Sequence, residues 1–371
     1  MRLRDLGVTI GEGRPGPANA ITDVPGVRVG HVTLIEGDGA LVVGRGPVRT
    51  GVTVVLPHDG DLGREPVFAG AHRLNGNGEM TGLEWIRESG LLTSPVGLTN
   101  TNSVGVVRDA LVALEARGRD PEAISWALPV VAETWDGRIN DIDGFHVRAS
   151  HVEAAIAAAL GPGGTAVAEG NVGGGTGMIC HAFKGGIGTS SRVVELPGVA
   201  FTLGVLVQAN YGRRPRLRLD GVPIGAAIPT SEVPSPWETA PAAHEGAGSI
   251  IVLVATDAPL LPDQLTRLAQ RPALAIGRMG GTGANDSGDL MLAFSTAQRG
   301  ATARAREGPI VTLRALAIDQ LDPLFVAAIE ATEEAIWNAL VAATTMVGRD
   351  GITAHAIPHD RLLEVWHRAR G

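Results

Sequence analysis

"HEGAGSIIVLVATDAPL", residues 244–260, runs a stretch of small residues straight into one of the most strand-like segments of the chain. From Ile250 to Val254 isoleucine, valine and leucine follow one another, the composition of a β-strand. Ser249 stands at the junction. What a hydroxyl residue does at that point is the question on which the reading of the whole chain turns.

The chain has 371 residues, 44% of them hydrophobic, enough to fill a substantial core. Its 31 basic and 39 acidic residues leave a net charge of -8, so no basic field is available for a nucleic-acid backbone. Lys184 is the only lysine, a compositional bias to which the sequence gives no function. Cys180 is the only cysteine, which excludes a disulfide framework and a thiolate metal site and suits a reducing compartment. The start "MRLRDLGVTIGEGRPGP" lacks a signal-peptide apolar stretch, and no later run approaches about 18 apolar residues. A soluble cytoplasmic protein without a membrane partner is the expectation. Glycine, at 51 residues, is the outlying count and implies many tight turns or close backbone approaches.

Valine-, isoleucine- and leucine-rich segments predict strands starting at Val52, Thr165, Arg192, Val199, Ile250, Ala273 and Asp289. Helical periodicity is read from Ser103, Arg148, Leu261 and Asp322. In the last of these, Leu324, Ala327, Ala328, Ala331 and Ala335 form one small apolar face suited to lying flat on a sheet. Together these elements predict an α and β protein with sheet-covering helices. Residues 211–248, dense in proline and arginine, read as a long loop that ends at the serine.

Several familiar motifs fail. Neither "EGNVGGGTGM" (169–178) nor "GRMGGTGANDSGD" (277–289) completes G-x-G-x-x-G, and Lys184 is followed by glycine, not by the serine or threonine of a P-loop. The closest histidine pairs, His146 with His151 and His355 with His359, lack metal-ligand spacing on one helix, since Pro358 interrupts the second. "NDIDG" (140–144) lacks the remainder of a calcium loop. No serine sits in a G-x-S-x-G elbow, so a hydrolase built on this chain would use a base other than histidine.

A serine hydroxyl needs an adjacent base, and its own α-amine can serve once freed. With a pKa of about 7.7–8.0, roughly a tenth of such amines are neutral at pH 7. The bond between Gly248 and Ser249 would have to break. Gly248 leaves its carbonyl open to the Ser249 hydroxyl and permits the strained backbone that favours an acyl shift. The strand that follows would hold the new terminus rigidly at the edge of a sheet.

The chain resembles the DmpA/BapA-type self-processing aminopeptidases, the family of L-aminopeptidase/D-esterases and β-peptidyl aminopeptidases. The resemblance runs through "AITDVPGVRVGHVTL" from Ala20, "HRLNGNGEMTGLEW" from His72, "GLTNTNSVG" from Gly97 and "AETWDGRINDIDG" from Ala132. It continues in "EGNVGGGTGM" from Glu169, "QANYG" from Gln208, "GSIIVLVATDAPL" from Gly248 and "SGDLMLAFST" from Ser287. It implies a single α/β domain, an αββα sandwich similar to the N-terminal nucleophile hydrolases but differently connected. Cleavage before Ser249 would give an α-chain (1–248) and a β-chain (249–371), assembled as a homotetramer of heterodimers, with no metal or organic cofactor. Substrates would be short peptides, amides or esters.

By position, the resemblance makes Ser249 the nucleophile and Ser287 and Asp289 the serine and carboxylate around it. Two apart on an extended segment, these would point the same way. β-Peptide-cleaving members carry glutamate where this chain has Asp289. Asn210 matches the oxyanion-hole amide, and Glu133 the carboxylate that receives the substrate's amino group. At about 4 Å and an effective dielectric near 20 such a pair is worth up to about 4 kcal/mol before desolvation, enough to select chain ends. Trp135 matches an apolar wall beside that amine; read without the resemblance, Glu133 would be a surface carboxylate and Trp135 a core residue. The competing readings are an ω-amino-acid oligomer hydrolase of the same fold, an acyltransferase like the self-cleaving ornithine acetyltransferases, and a binding protein that never processes.

Overall fold

The computed structural model describes residues 1–117, 126–238, 248–302 and 308–371. Four strands, β1 (Arg28–Glu36), β2 (Val48–Leu56), β5 (Val96–Asn100) and β6 (Val130–Thr134), form one sheet in the order β1-β2-β5-β6. A six-stranded sheet has the order β4-β3-β12-β11-β10-β9. Its strands are β3 (Val67–Gly76), β4 (Leu91–Leu92), β9 (Gly186–Leu196), β10 (Val199–Asn210), β11 (Ser249–Thr256) and β12 (Gly288–Ser295). Two small ribbons, β7 (Ile179–Cys180) with β8 (Phe183–Lys184) and β13 (Met346–Val347) with β14 (Thr353–Ala354), stand outside both sheets. The helices are α1 (Leu83–Ser89), α2 (Val104–Ala116), α3 (Ala149–Leu160), α4 (Ile224–Ala227), α5 (Pro262–Ala269), α6 (Pro272–Arg278), α7 (Asp322–Ala342) and α8 (His359–Arg370).

Alternation along β11 explains its unbroken apolar run. Ile251, Leu253 and Ala255 face a core shared with Val55, Val96, Leu98 and Val130 of the smaller sheet. Ile250, Val252 and Val254 face the helix side, where Leu265, Ile276, Ala331 and Trp337 cover them. A strand covered on both faces has no polar side. On the far side of the smaller sheet, Val52, Val54 and Val131 pack against Val107, Leu111, Val152 and Ala155 of α2 and α3. The result is the expected helix, sheet, sheet, helix stack.

The small face of α7 lies against β9 as expected, with Leu324, Ala328, Ala331 and Ala335 fully buried. A β-carbon on Gly188 would come within 1.9 Å of the Ala335 carbonyl oxygen, so only glycine admits the helix at this depth. Arg192 on β9, fully buried, meets Glu330 at 3.1 Å and Glu334 at 2.8 Å, fixing the helix to the sheet. Removing one partner of such a buried cluster costs about 3–5 kcal/mol.

Three expectations are corrected. The segment from Ala273 is helix α6, begun by Pro272 in its first turn, where a missing N–H costs nothing. The segment from Thr165 forms no strand; a short 3-10 turn ends at Thr165 and only an isolated bridge at Gly170 follows. β11 is a central strand, hydrogen-bonded to β10 and β12, so Ser249 sits at a strand end inside the sheet and not on its edge. The proline-rich stretch from Tyr211 to Glu238 is largely irregular but packed: Arg214, Leu217, Leu219 and Ile228 are fully buried. The rest of that expected loop, 239–247, lies outside the described residues. No helix among the described residues is long and apolar enough to cross a membrane.

Candidate active site

Ser249 opens β11, paired with Asn210 at the end of antiparallel β10 and beside the start of parallel β12. It is nearly buried, at 6% exposure. Its Oγ accepts a hydrogen bond from the Gly288 N–H at 3.0 Å. The preceding Gly248 is buried, and a β-carbon on it would lie 2.0 Å from the Asn210 carbonyl oxygen. No other residue fits there without moving β10.

Ser287 and Asp289 do point the same way: the Ser287 hydroxyl donates to Asp289 Oδ1 at 2.5 Å. That oxygen also accepts from the Ile250 N–H at 3.3 Å, bringing the carboxyl against the residue that follows Ser249. Burial raises the Asp289 pKa, and the two hydrogen bonds work against that rise.

Asn210 is held at both ends of its amide. Oδ1 accepts from the Ile179 N–H at 2.7 Å, and the NH2 donates to the Trp135 carbonyl at 2.9 Å. A backbone donor on one side and a backbone acceptor on the other fix which end is oxygen. One N–H of the amide remains for a ligand.

Glu133, at the end of β6, is buried at 3% exposure, the reverse of its bare-sequence reading. Oε1 accepts from the Glu79 N–H at 2.9 Å and Oε2 from the Thr101 hydroxyl. Desolvation raises its pKa against the pull of those two bonds. A β-carbon placed on Gly78 would lie 3.2 Å from Glu133 Oε1 and 3.0 Å from the Cα of Gly288, whose N–H reaches Ser249. The carboxylate is therefore one glycine's width from the backbone that holds the hydroxyl. Trp135 is the surface residue of the pair, at 42% exposure, and stacks on Trp237 with centroids 6.4 Å apart.

The structure thus gathers the predicted residues at adjoining ends of both sheets. Sequence reasoning missed the groups that orient them: the Gly288 and Glu79 amides, Thr101, the Ile179 N–H and Trp237. Two glycine- and asparagine-rich stretches carried a signal for backbone close to a site: "LNGNGEMTG" (74–82), which holds Glu79, and "NVGGGTGM" (171–178), which ends just before Ile179. Nothing in the sequence marked Trp237.

Two stacked sheets between helices, with a serine opening a central strand, are the architecture of an N-terminal-nucleophile hydrolase. Solved structures bear out this class. An L-aminopeptidase D-Ala-esterase/amidase from Ochrobactrum anthropi, described as a prototype of the serine aminopeptidases and a variant of the Ntn hydrolase fold, superposes with a TM-score of 0.89 at 44% identity, covering 100% of this chain and 99% of that one. A Burkholderia sp. β-aminopeptidase does so with a TM-score of 0.89 at 52% identity, covering 99% of each chain. The β-peptidyl aminopeptidase BapA of Sphingosinicella microcystinivorans is 52% identical over 376 residues, covering 100% of this chain and 92% of the relative. The model of peptidase family S58 matches residues 19–354. The chain belongs to peptidase family S58 and is a serine-type aminopeptidase.

Proposed function

We propose that this chain is a self-processing β-peptidyl aminopeptidase in which Ser249, once freed from Gly248, is both nucleophile and base. The observation that carries this reading is the buried Glu133 carboxylate beside the segment that holds the Ser249 hydroxyl. It receives the substrate's ammonium and selects chain ends. The Ser249 amine takes the hydroxyl proton as Oγ attacks the carbonyl, and the remaining Asn210 N–H meets the oxyanion. The amine then protonates the departing nitrogen, leaving an acyl ester on Ser249 that water cleaves by the same steps. Ser287, which donates to Asp289, and Asp289, which accepts from the Ile250 N–H, orient the amine.

The preference for β-residues is supported by the relatives named β-peptidyl aminopeptidase and β-aminopeptidase at 52% identity. Assembly as a tetramer of processed heterodimers and residence in the cytoplasm are parts of the same reading; the single, free and buried Cys180 suits a reducing compartment.

The test is hydrolysis of β-alanyl, L-alanyl and N-acetyl-β-alanyl p-nitroanilides, with a denaturing gel and terminal sequencing of the smaller band. β-Alanyl turnover by a chain beginning "SIIVL" is expected. Equal cleavage of the acetylated substrate, or activity of an uncut chain, would refute the reading.

A further inference from the structure

The sole lysine of the chain lies behind this site. Lys184 on β8 is fully buried. Its Nζ donates to the carbonyl oxygens of Met178 at 2.7 Å, Gly185 at 2.8 Å and Gly175 at 3.3 Å. An ammonium carries three N–H donors and no acceptor, so it matches these three oxygens one for one. Burying a charge here is costly: desolvation lowers the Lys184 pKa to about 7, with Cys180 and Asp136 pulling the other way. The arrangement calls for a reason.

One peptide unit supplies it. The Met178 carbonyl receives the ammonium, and the N–H on the other side of that same peptide bond, that of Ile179, donates to Asn210 Oδ1. An amide whose oxygen faces a cation is a stronger donor at its nitrogen, and hydrogen bonds in series reinforce one another. Polarisation passes from Lys184 through the Met178–Ile179 amide into the Asn210 side chain, whose NH2 becomes the better donor. Position is set along the same line. Met178 Sδ accepts from the Thr134 hydroxyl at 2.9 Å, between Glu133 and the Trp135 whose carbonyl holds the other end of Asn210. A shift of the Gly175–Met178 turn would therefore move the Asn210 amide from both ends.

We propose that Lys184 is a positioning residue for the reaction, setting the aim and donor strength of the Asn210 NH2 through a single shared peptide group. The inference rests on the assignment of Asn210 as the oxyanion donor. Lys184→Met, Asn210→Ala and the double variant are to be compared by kcat and KM per processed chain, processing being read on a gel. Lys184→Met should lower kcat about tenfold with KM within about twofold, and the double variant should be no slower than Asn210→Ala. An unchanged kcat in Lys184→Met, or losses that multiply in the double variant, overturns the inference while leaving Asn210 its role. An unchanged kcat in Asn210→Ala overturns the assignment beneath it.

Should Lys184→Met fail to fold or process, the wild-type enzyme carries the test. Labelling with 15N-lysine gives one side-chain signal, because there is one lysine. Addition of 2-aminoethylboronic acid, which forms a tetrahedral adduct on a nucleophilic serine, should shift that signal. Inhibition without a shift overturns the proposal.

Discussion

Asn210 and Ser249 face each other as the last and first residues of neighbouring antiparallel strands, so the proposed oxyanion donor and the proposed nucleophile are one register pair of the same ladder. The relative position of their backbones is set by the ladder of β10 and β11, while the Asn210 amide is aimed by the Ile179 N–H and the Trp135 carbonyl. Asn210→Ala keeps the ladder and removes the donor together with the acceptor of the Ile179 N–H. A fall in kcat of about 10²–10³, equivalent to about 2.7–4 kcal/mol, is expected with little change in KM. Steady-state kinetics on one β-alanyl substrate checks it.

Gly248→Ala tests the approach of the chain to the scissile bond. Its β-carbon would collide with the Asn210 carbonyl oxygen at 2.0 Å, displacing the carbonyl that the Ser249 hydroxyl has to reach. Processing should slow by at least about tenfold, since an ångström of misplacement at a reacting centre is worth that much or more. The fraction of intact chain against time on a denaturing gel measures it.

Glu133 is held where ionisation is penalised by burial. Its folded pKa is raised, so the protonated form favours folding: the stability contribution is fully present at low pH and is lost as pH rises through the folded value. Substrate binding has the opposite need, since only the carboxylate attracts an ammonium. Glu133→Gln should therefore raise Tm at pH 7 while raising KM by about 10². A variant with lower Tm and unchanged KM contradicts this.

Asp289 and Glu133 both have raised pKa values, so the acid limb of activity should lie above the ordinary carboxylate range. Activity is lost as pH falls through each raised value. The Ser249 amine keeps an acid limb in every variant; the Asp289 component of the limb in kcat should be lost in Asp289→Asn and persist in Glu133→Gln, while the limb in kcat/KM should lose its Glu133 component in the latter. Parallel pH profiles of the two variants separate them.

The β11 run and the α7 face were legible because burial dictates composition directly: a strand covered on both sides is apolar throughout, and a helix lying on a sheet is small along one stripe. Helix α6 was not, because "ALAIG" satisfies a buried helix and a buried strand equally, and Pro272 as a helix start was the decisive sign. Ser287 and Asp289 came from the resemblance, and their spacing of two added only that they point the same way. The exposures of Glu133 and Trp135 came out opposite to general rules: the carboxylate is buried because the Glu79 N–H and the Thr101 hydroxyl satisfy it, and the indole stays open, stacked on Trp237. Lys184 read as composition because its partners are backbone carbonyls, which no side-chain pattern announces.

The order of the large sheet bears on what scission before Ser249 would do. β11 and β12 belong to the segment after the cut, while β3 and β10, on either side of them, belong to the segment before it. Each piece would be threaded through the other, gripped along two ladders at once. Separating them would require melting the whole layer, so the mature enzyme would behave as one inseparable body that tolerates dilution, and fragments made apart would have no preformed half on which to assemble.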